Sequence, residues 1–216
     1  MIELIKKEIR ENMIFMIIGF TLNIYLIISI VNSELSFMPY FYFTRSIPIL
    51  DYNFLNYFSI ISFSFAAIIG FNQAIAEEVR GTYLFLLSKP LKRRTIFFIK
   101  ALTALIMYFI ISLIPALVMI YLSAKLKYFY APFRLYMCYN ILLLCFFGVI
   151  AYLGAFYTGV NSGRWFGTKG IGIFFTVIIF TGIHELPDIK RIIILMLAAF
   201  LILLFAALQT FSAKEI

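Results

Sequence analysis

Charged side chains are scarce in this chain: they make up 13% of its 216 residues, whereas 64% are hydrophobic. A soluble domain of this size cannot hide so much apolar surface, because much of any small fold stays exposed to solvent. The mean hydropathy of +1.03 points the same way. These values exclude an ordinary soluble domain and predict a protein whose solvent is lipid.

Histidine and cysteine are also rare. His184 is the only histidine, which is too few for a histidine-bound catalytic metal and leaves no Ser/His/Asp or Cys/His arrangement with its partners on one side of a membrane. Cys138 and Cys145 lie in one apolar run, roughly 10 Å apart along a helix. That distance is too great for a disulfide. The sequence therefore predicts two free cysteines and no catalytic site.

Long apolar runs recur along the whole chain. A helix needs about 20 mostly apolar residues to cross roughly 30 Å of hydrocarbon. The sequence therefore predicts an all-α integral membrane protein with six transmembrane helices in a single domain, 1–216. The fifth run is the weakest, being short and rich in glycine. The predicted spans are 13–31, 54–76, 95–123, 135–160, 168–184 and 192–211.

The first twelve residues precede the first span and have a different pattern. Charged residues alternate there with Ile2, Ile5 and Ile9, and together with Met13 these fall on one side of a helix. This pattern is typical of an amphipathic helix lying in the plane of the membrane. We therefore expect an N-terminal interfacial helix before the first span.

The basic residues give the chain a formal net charge of +8, and they lie in short loops between the apolar runs. With six spans both termini are on one side, which then holds twelve of the 18 lysines and arginines. An excess of Lys and Arg marks the cytoplasmic side. We therefore expect a plasma-membrane protein with cytoplasmic termini. The basic charge then serves as an orientation signal, and no nucleic-acid partner is expected.

Few ionisable groups lie within the predicted spans, and Lys100 and His184 are near span ends. Ion-coupled carriers usually need such groups at membrane depth, so energy is expected to enter from outside the bilayer. Amides and small residues within the spans are interpreted as packing groups that join helices. The amides are Asn23, Asn72, Gln73 and Asn140, and the small residues are Gly148, Ala151, Gly154 and Ala155.

The most charged stretch, residues 77–94, lies between the second and third spans. Its apolar residues recur at helical spacing, which predicts a short amphipathic helix that ends before Pro90. The acidic pair at its start and Lys89 near its end suit the helix dipole. A loop helix resting on lipid headgroups explains the pattern as well. The apolar positions are Val79, Tyr83, Leu86 and Leu87.

The residues of this stretch resemble those of a known class. The pattern Glu-Glu-x-Arg-Gly-Thr-x-x-x-Leu-Leu-Ser-x-Pro, followed by Arg93 or Arg94 and then Lys100, is similar to the type-2 exporter (ABC-2) class of ABC transporter permeases. In that class the corresponding coupling helix is cytoplasmic and docks on a separate ATPase subunit. The residue-level likeness covers only 77–100. It implies an ATPase contact formed by Glu77, Glu78, Arg80, Gly81, Thr82, Tyr83, Leu86, Leu87 and Pro90.

The resemblance implies the permease subunit of an ATP-driven exporter, which is not itself an enzyme. ATP and Mg would bind the partner ATPase, with no cofactor on this chain, and a second permease copy, identical or similar, would complete the transporter. Arg164 and Trp165 would supply a secondary contact, although an interfacial anchor also explains Trp165. Members of the class often have a longer outer segment than residues 184–191 here, so an outer re-entrant gate stays an open question.

Other functions fit the residues less well. Residues 163–170 lack the spacing of a phosphate-binding loop, so nucleotide hydrolysis has to come from another polypeptide. The pattern Glu77-Glu78-x-Arg80 also resembles a signature of intramembrane peptidases, but the single histidine speaks against that chemistry. A passive channel or a nontransporting membrane anchor requires no diagnostic motif, and both remain alternatives.

Overall fold

The computed structural model describes residues 2–31, 49, 52–79, 93–125, 134–161, 166–185 and 188–213. These residues are almost entirely helical, and none of the described residues is in a strand. A short 3-10 turn, Leu135–Cys138, leads directly into the fourth α-helix. The α-helices are α1 (Ile2–Val31), α2 (Tyr52–Val79), α3 (Arg93–Lys125), α4 (Tyr139–Val160), α5 (Phe166–Glu185) and α6 (Ile189–Ala213).

Among the described residues, five helical segments are long and apolar enough to cross a membrane. They contain α1, α2, α3, α6, and α4 with its preceding turn. The apolar stretch of α5, Thr168–Gly182, is shorter than these. The structure therefore confirms an all-helical chain with several apolar helices, as in a multi-pass membrane protein, and α5 is the helix that the sequence also marks as weakest.

Pairs of residues in contact establish the direction of each helix. Where residue numbers rise together the helices are parallel, and where one rises as the other falls they are antiparallel. By this criterion α1 to α6 alternate in direction. The pairs are Asn12–Asn72 and Gly19–Phe65 (α1 with α2), Glu8–Lys100 and Asn23–Ile111 (α1 with α3), Phe63–Phe147 and Gly70–Tyr152 (α2 with α4), Tyr108–Cys145 and Phe97–Phe156 (α3 with α4), Phe147–Phe180 and Thr158–Ile173 (α4 with α5), and Phe146–Phe200 and Phe156–Phe211 (α4 with α6).

This alternation gives the bundle two distinct ends. One end, which we call the amino-terminal end, holds the first residues of α1, α3 and α5 and the last residues of α2, α4 and α6. Arg93 at the start of α3 donates a hydrogen bond from Nη1 to the carbonyl oxygen of Ser212, near the end of α6, at 3.0 Å. The other end, which we call the opposite end, holds the remaining helix termini.

Helix α4 occupies the centre of the bundle and packs against α2, α3, α5 and α6. Its small residues permit these contacts, as the sequence predicts: Gly148 faces the ring of Tyr108, and Gly154 faces Gly172 of α5. Cys138 and Cys145 are both free and buried, which confirms the expectation that they form no disulfide. Close approach of backbones at small residues is typical of helix packing in lipid.

The expectation of a separate interfacial helix over residues 1–12 is wrong. Helix α1 continues without interruption from Ile2 to Val31. Ile9 and Met13 do lie on the outside of the bundle, but Glu8 and Asn12 are buried between helices. The segment is therefore the first part of a long packed helix, because its polar residues find partners on α2 and α3.

The predicted start of a loop helix at Glu77 also differs from the structure. Helix α2 extends to Val79 and so includes Glu77 and Glu78 in its last turn. No proline or glycine precedes Gly81 in this region, so nothing interrupts the helical hydrogen bonds at Glu77. Residues 80–92 lie outside the described residues.

Candidate functional site

Buried and half-buried polar side chains collect toward the amino-terminal end of the bundle, between α1, α2, α3 and α4. Buried polar groups in an apolar interior are costly unless they bond to one another, so such a collection marks a specific arrangement. We refer to it as the polar cluster. Its members are Glu8, Asn12, Asn72, Gln73, Lys100 and Tyr152.

An ion pair lies at the centre of the polar cluster. Lys100 Nζ is 2.9 Å from Glu8 Oε1, and both side chains are only 1% exposed. Lys100 Nζ also donates to the carbonyl oxygen of Gln73 at 3.2 Å, and Gln73 Nε2 donates to the carbonyl oxygen of Lys100 at 3.4 Å. A buried ion pair persists only with such additional hydrogen bonds. The pair therefore joins α1 to α3, and the reciprocal bonds join α3 to α2.

Further hydrogen bonds extend the cluster. The hydroxyl of Tyr152 on α4 donates to Gln73 Oε1 at 2.9 Å. Asn72 Nδ2 donates to Asn12 Oδ1 at 2.9 Å, and Asn12 Nδ2 donates to the carbonyl oxygen of Glu8 at 3.0 Å. Four helices are therefore linked at one level of the bundle by polar contacts, which are far more directional than apolar packing.

The polar cluster lies close to the last turn of α2 and the first turns of α3. Gln73 precedes the last residue of α2, Val79, by six positions, and Lys100 follows the first residue of α3, Arg93, by seven. At the rise of a helix these separations are about 9–11 Å. The cluster thus links α2 to α3 near the end of α2 and the start of α3.

The structure does not test the predicted contact residues. Glu77 and Glu78 lie in the last turn of α2, where the structure describes the backbone but not their side chains. The remaining predicted residues fall outside the described residues, between α2 and α3 or between α4 and α5. They are Arg80, Gly81, Thr82, Tyr83, Leu86, Leu87 and Pro90 in the first connection, and Arg164 and Trp165 in the second.

The amides in the spans behave as predicted where they lie between helices. Asn72 and Gln73 join helices within the polar cluster, and Asn23 Nδ2 donates to the carbonyl oxygen of Ile111 on α3 at 2.9 Å. Asn140 instead lies exposed near the start of α4. These three bonds confirm the interpretation of Asn23, Asn72 and Gln73 as interhelical groups.

Sequence reasoning missed Glu8, Asn12 and Tyr152 as members of the cluster. A signal for the first two was present: Leu4, Glu8 and Asn12 recur every four residues on one side of a helix. All three are buried. In a helix surrounded by lipid, a stripe of polar residues indicates the face that packs against other helices. In water, a stripe of apolar residues indicates the buried face.

Within the described part of the chain, no three His, Cys, Asp or Glu side chains gather as a metal site would require. The polar cluster contains one carboxylate and one ammonium, already bound to each other, and backbone and amide groups. Its chemistry is that of a joint between helices. Comparison with family models, with curated proteins and with solved structures found no match to this chain.

Proposed function

We propose that this chain is the membrane-spanning permease subunit of an ATP-driven exporter of the ABC-2 class, and that residues 77–90 dock on a separate ATPase subunit. The observation that supports this most is the position of the polar cluster. It links α2 and α3, which flank the docking segment, to α1 and α4. A force applied to the segment is then passed to four helices together.

The alternating helix directions support six membrane crossings. Helix α5 is antiparallel to α4: Ile173 contacts Thr158 near the end of α4, and Phe180 contacts Phe147 nearer its start. Helix α6 then runs parallel to α4. A chain that leaves α4 at one end and begins α6 at the other has to traverse the bundle through α5. Both termini then lie on one side of the membrane, and the excess of Lys and Arg on that side makes it the cytoplasmic one.

In this proposal the partner ATPase binds ATP and Mg, and its nucleotide-driven closure moves the docking segment. The linked ends of α1 to α4 move with it, and the bundle changes between two packings, as a bistable interface can. A second permease copy completes the pathway. Arg164 and Trp165, in the connection between α4 and α5, provide a secondary contact on the same side, and substrate leaves toward the outside.

The docking assignment is tested by purification of the tagged protein from its native membrane. We expect a nucleotide-hydrolysing subunit to co-purify with it. The double substitution Glu77→Lys and Glu78→Lys should release this subunit, because it reverses both acidic charges of the segment, while the protein still inserts. The measurement is the amount of partner retained per permease, together with nucleotide hydrolysis by the complex.

A matched control reverses two acidic charges elsewhere near the termini, Glu3→Lys and Glu215→Lys. Equal loss of the partner in both double variants would reduce the effect to net charge and contradict a specific contact. A protein that always purifies without a nucleotide-hydrolysing partner would contradict the exporter proposal itself. The nontransporting anchor or the passive channel would then be the better account.

A further inference from the structure

A cleft opens at the opposite end of the bundle, between α2, α4, α5 and α6. Its volume is about 280 Å³. A smaller hollow of about 130 Å³ between α2 and α5 adjoins it through two shared wall residues, Ser59 and Phe180. Small-molecule sites in proteins begin at about 300 Å³, so the cleft is at the lower limit of this range and suits one slender ligand rather than a bulky one.

The described walls of the cleft are apolar except at three positions. Leucines, phenylalanines, an isoleucine and a methionine form most of the lining, and the polar exceptions are Asn56, Ser59 and Asn140. None of these described lining residues carries a charge. A charged ligand would lose its hydration without finding an opposite charge here, which is costly in an apolar site. The lining therefore favours an uncharged ligand.

The polar and apolar parts of the cleft lie at different depths. Asn56 is near the start of α2 and Asn140 near the start of α4, so both amides lie at the helix ends. The floor is formed by Phe147 and Phe180, whose rings are 5.0 Å apart and lie deeper in the bundle. From Asn140 to Phe147 the helical rise is about 10 Å.

The two amides at the mouth are available to a ligand. Ser59 donates its hydroxyl to the backbone carbonyl of Asn56 at 2.8 Å, which leaves the Asn56 amide itself uninvolved in that bond. Each asparagine amide offers two donors and an acceptor. A hydroxyl or amide headgroup placed between them would meet both kinds of partner.

We propose that the cleft binds an uncharged amphiphile with a single slender tail, its hydrogen-bonding headgroup at Asn56 and Asn140 and its tail against Phe147 and Phe180. The orientation matches that of a lipid in the adjacent leaflet, with the polar group at the interface and the chain toward the membrane centre. This assignment does not depend on the ATPase partner. The ligand is either a resident bilayer lipid or a transported molecule, since both have the same chemistry.

The proposal is tested by photolabelling of the full-length protein in nanodiscs, without any partner. The probe is dodecanol with a diazirine at the end of its chain, and its charged counterpart is dodecyltrimethylammonium with the same diazirine. We expect saturable labelling of α4 or α5 around Phe147 and Phe180 by the alcohol, and much weaker labelling by the cation. Equal labelling by both probes, or labelling spread over all outer helix faces, would overturn the proposal.

Two variants with matched controls locate the site. Leu143→Trp fills the cleft from α4, whereas Leu142→Trp places the same bulk at an exposed neighbour outside the lining. Only Leu143→Trp should abolish labelling.

The headgroup contact has its own variant. Asn56→Ala with Asn140→Ala should weaken labelling roughly tenfold, as expected for one or two lost hydrogen bonds. Thr181→Ala, which removes an exposed hydroxyl of α5 outside the described lining, should leave labelling unchanged. Unchanged labelling in both cleft variants would overturn the site.

The source of the ligand is distinguished by native mass spectrometry of the protein extracted from its own membrane. A bound uncharged single-chain lipid that disappears in Leu143→Trp would identify a resident lipid. A protein without bound lipid that still takes up dodecanol would identify a transient ligand. Either result supports the cleft assignment, whereas a bound lipid that persists in Leu143→Trp and in the double asparagine variant would contradict it. Loss of the ATPase partner in the purification described above would leave this result unaffected.

Discussion

Glu8 and Lys100 form a buried ion pair between α1 and α3 toward the amino-terminal end of the bundle. Their side chains are almost wholly buried, and the Lys100 ammonium also donates a hydrogen bond to the backbone carbonyl of Gln73. A buried ion pair adds little stability compared with apolar packing, but removing one partner leaves an uncompensated charge in an apolar interior. The pair thus makes the correct mutual register of α1 and α3 much more favourable than a shifted one.

We expect Lys100→Met to destabilise the fold by roughly 3–5 kcal/mol, because the Glu8 carboxylate stays buried without its ion-pair partner. The double variant Glu8→Leu with Lys100→Met should recover most of this loss. The measurement is the free energy of unfolding in detergent. The control is Arg191→Met, which breaks an exposed pair with Asp188 at 3.9 Å and should cost below about 1 kcal/mol. Similar losses in Lys100→Met and Arg191→Met would contradict the buried pair.

The polar cluster also predicts a functional difference at the level of residues. The double variant Glu8→Leu with Lys100→Met should fold, yet it has lost the ion pair that links α1 to α3. If the proposed permease function holds, partner ATPase docking should be retained while substrate transport per ATP hydrolysed falls. Transport and hydrolysis are measured together in vesicles. Transport at the normal ratio would show that the pair only stabilises the fold.

Helix α5 approaches α4 closely around one hydroxyl that bonds to both helices. The hydroxyl of Thr158 donates to the carbonyl oxygen of Gly154 at 2.8 Å and accepts a hydrogen bond from the backbone N–H of Ile173 at 3.1 Å. Gly154 and Gly172 face each other across this contact. Because lipid tails are as apolar as leucine side chains, the hydrophobic effect does not drive helices together in a membrane. Close packing and hydrogen bonds such as these join the helices instead.

Two glycines of α5 therefore respond differently to the same change. An alanine methyl at Gly172 would meet the backbone oxygen of Gly154 and the hydroxyl of Thr158, so Gly172→Ala should force the helices apart and cost roughly 1–3 kcal/mol. At Gly182 nothing lies within 4 Å of the added methyl. Gly182→Ala should be neutral or stabilising by about 0.5–1 kcal/mol. Thermal unfolding in detergent measures both, and an equal response would refute the close contact.

At the scale of the whole molecule, the alternating helix directions place the first residues of α1 and α3 and the last residues of α2 and α6 at one end. This arrangement makes α5 the helix that decides the number of crossings. If α5 crosses, the connections before and after it lie on opposite sides of the membrane. If it does not, both lie on one side and the two termini are separated.

Cysteine labelling distinguishes these topologies, and the buried positions of Cys138 and Cys145 keep the background low. With a membrane-impermeant maleimide, Thr82→Cys and Gly163→Cys should react only from the cytoplasmic side, and Ser36→Cys and Asp188→Cys only from the outside. Reaction of Gly163→Cys and Asp188→Cys from the same side would contradict six crossings. Reaction of Thr82→Cys from the outside would contradict the docking proposal.

Residue order alone is enough to derive the lipid solvent, the positions of the helices, the weakness of the fifth run and the use of buried amides between helices. Each depends on composition or on spacing within one helix, which neighbours in sequence determine. The predicted start of α1 and the predicted end of α2 differ from those in the structure. No proline or glycine interrupts the helix at either point, so the interfacial helix and the start of the loop helix are continuous with α1 and α2.

The partners across helices were decided by the tertiary structure. Glu8 meets Lys100, Gly154 meets Gly172, and a cleft remains beside Asn140. The physical reason is that a helix face directed at lipid and one directed at another helix are equally apolar, so hydrophobic periodicity cannot tell them apart. Only the complete packing shows which polar side chains lie close enough to satisfy one another and which surfaces are left to bind something else.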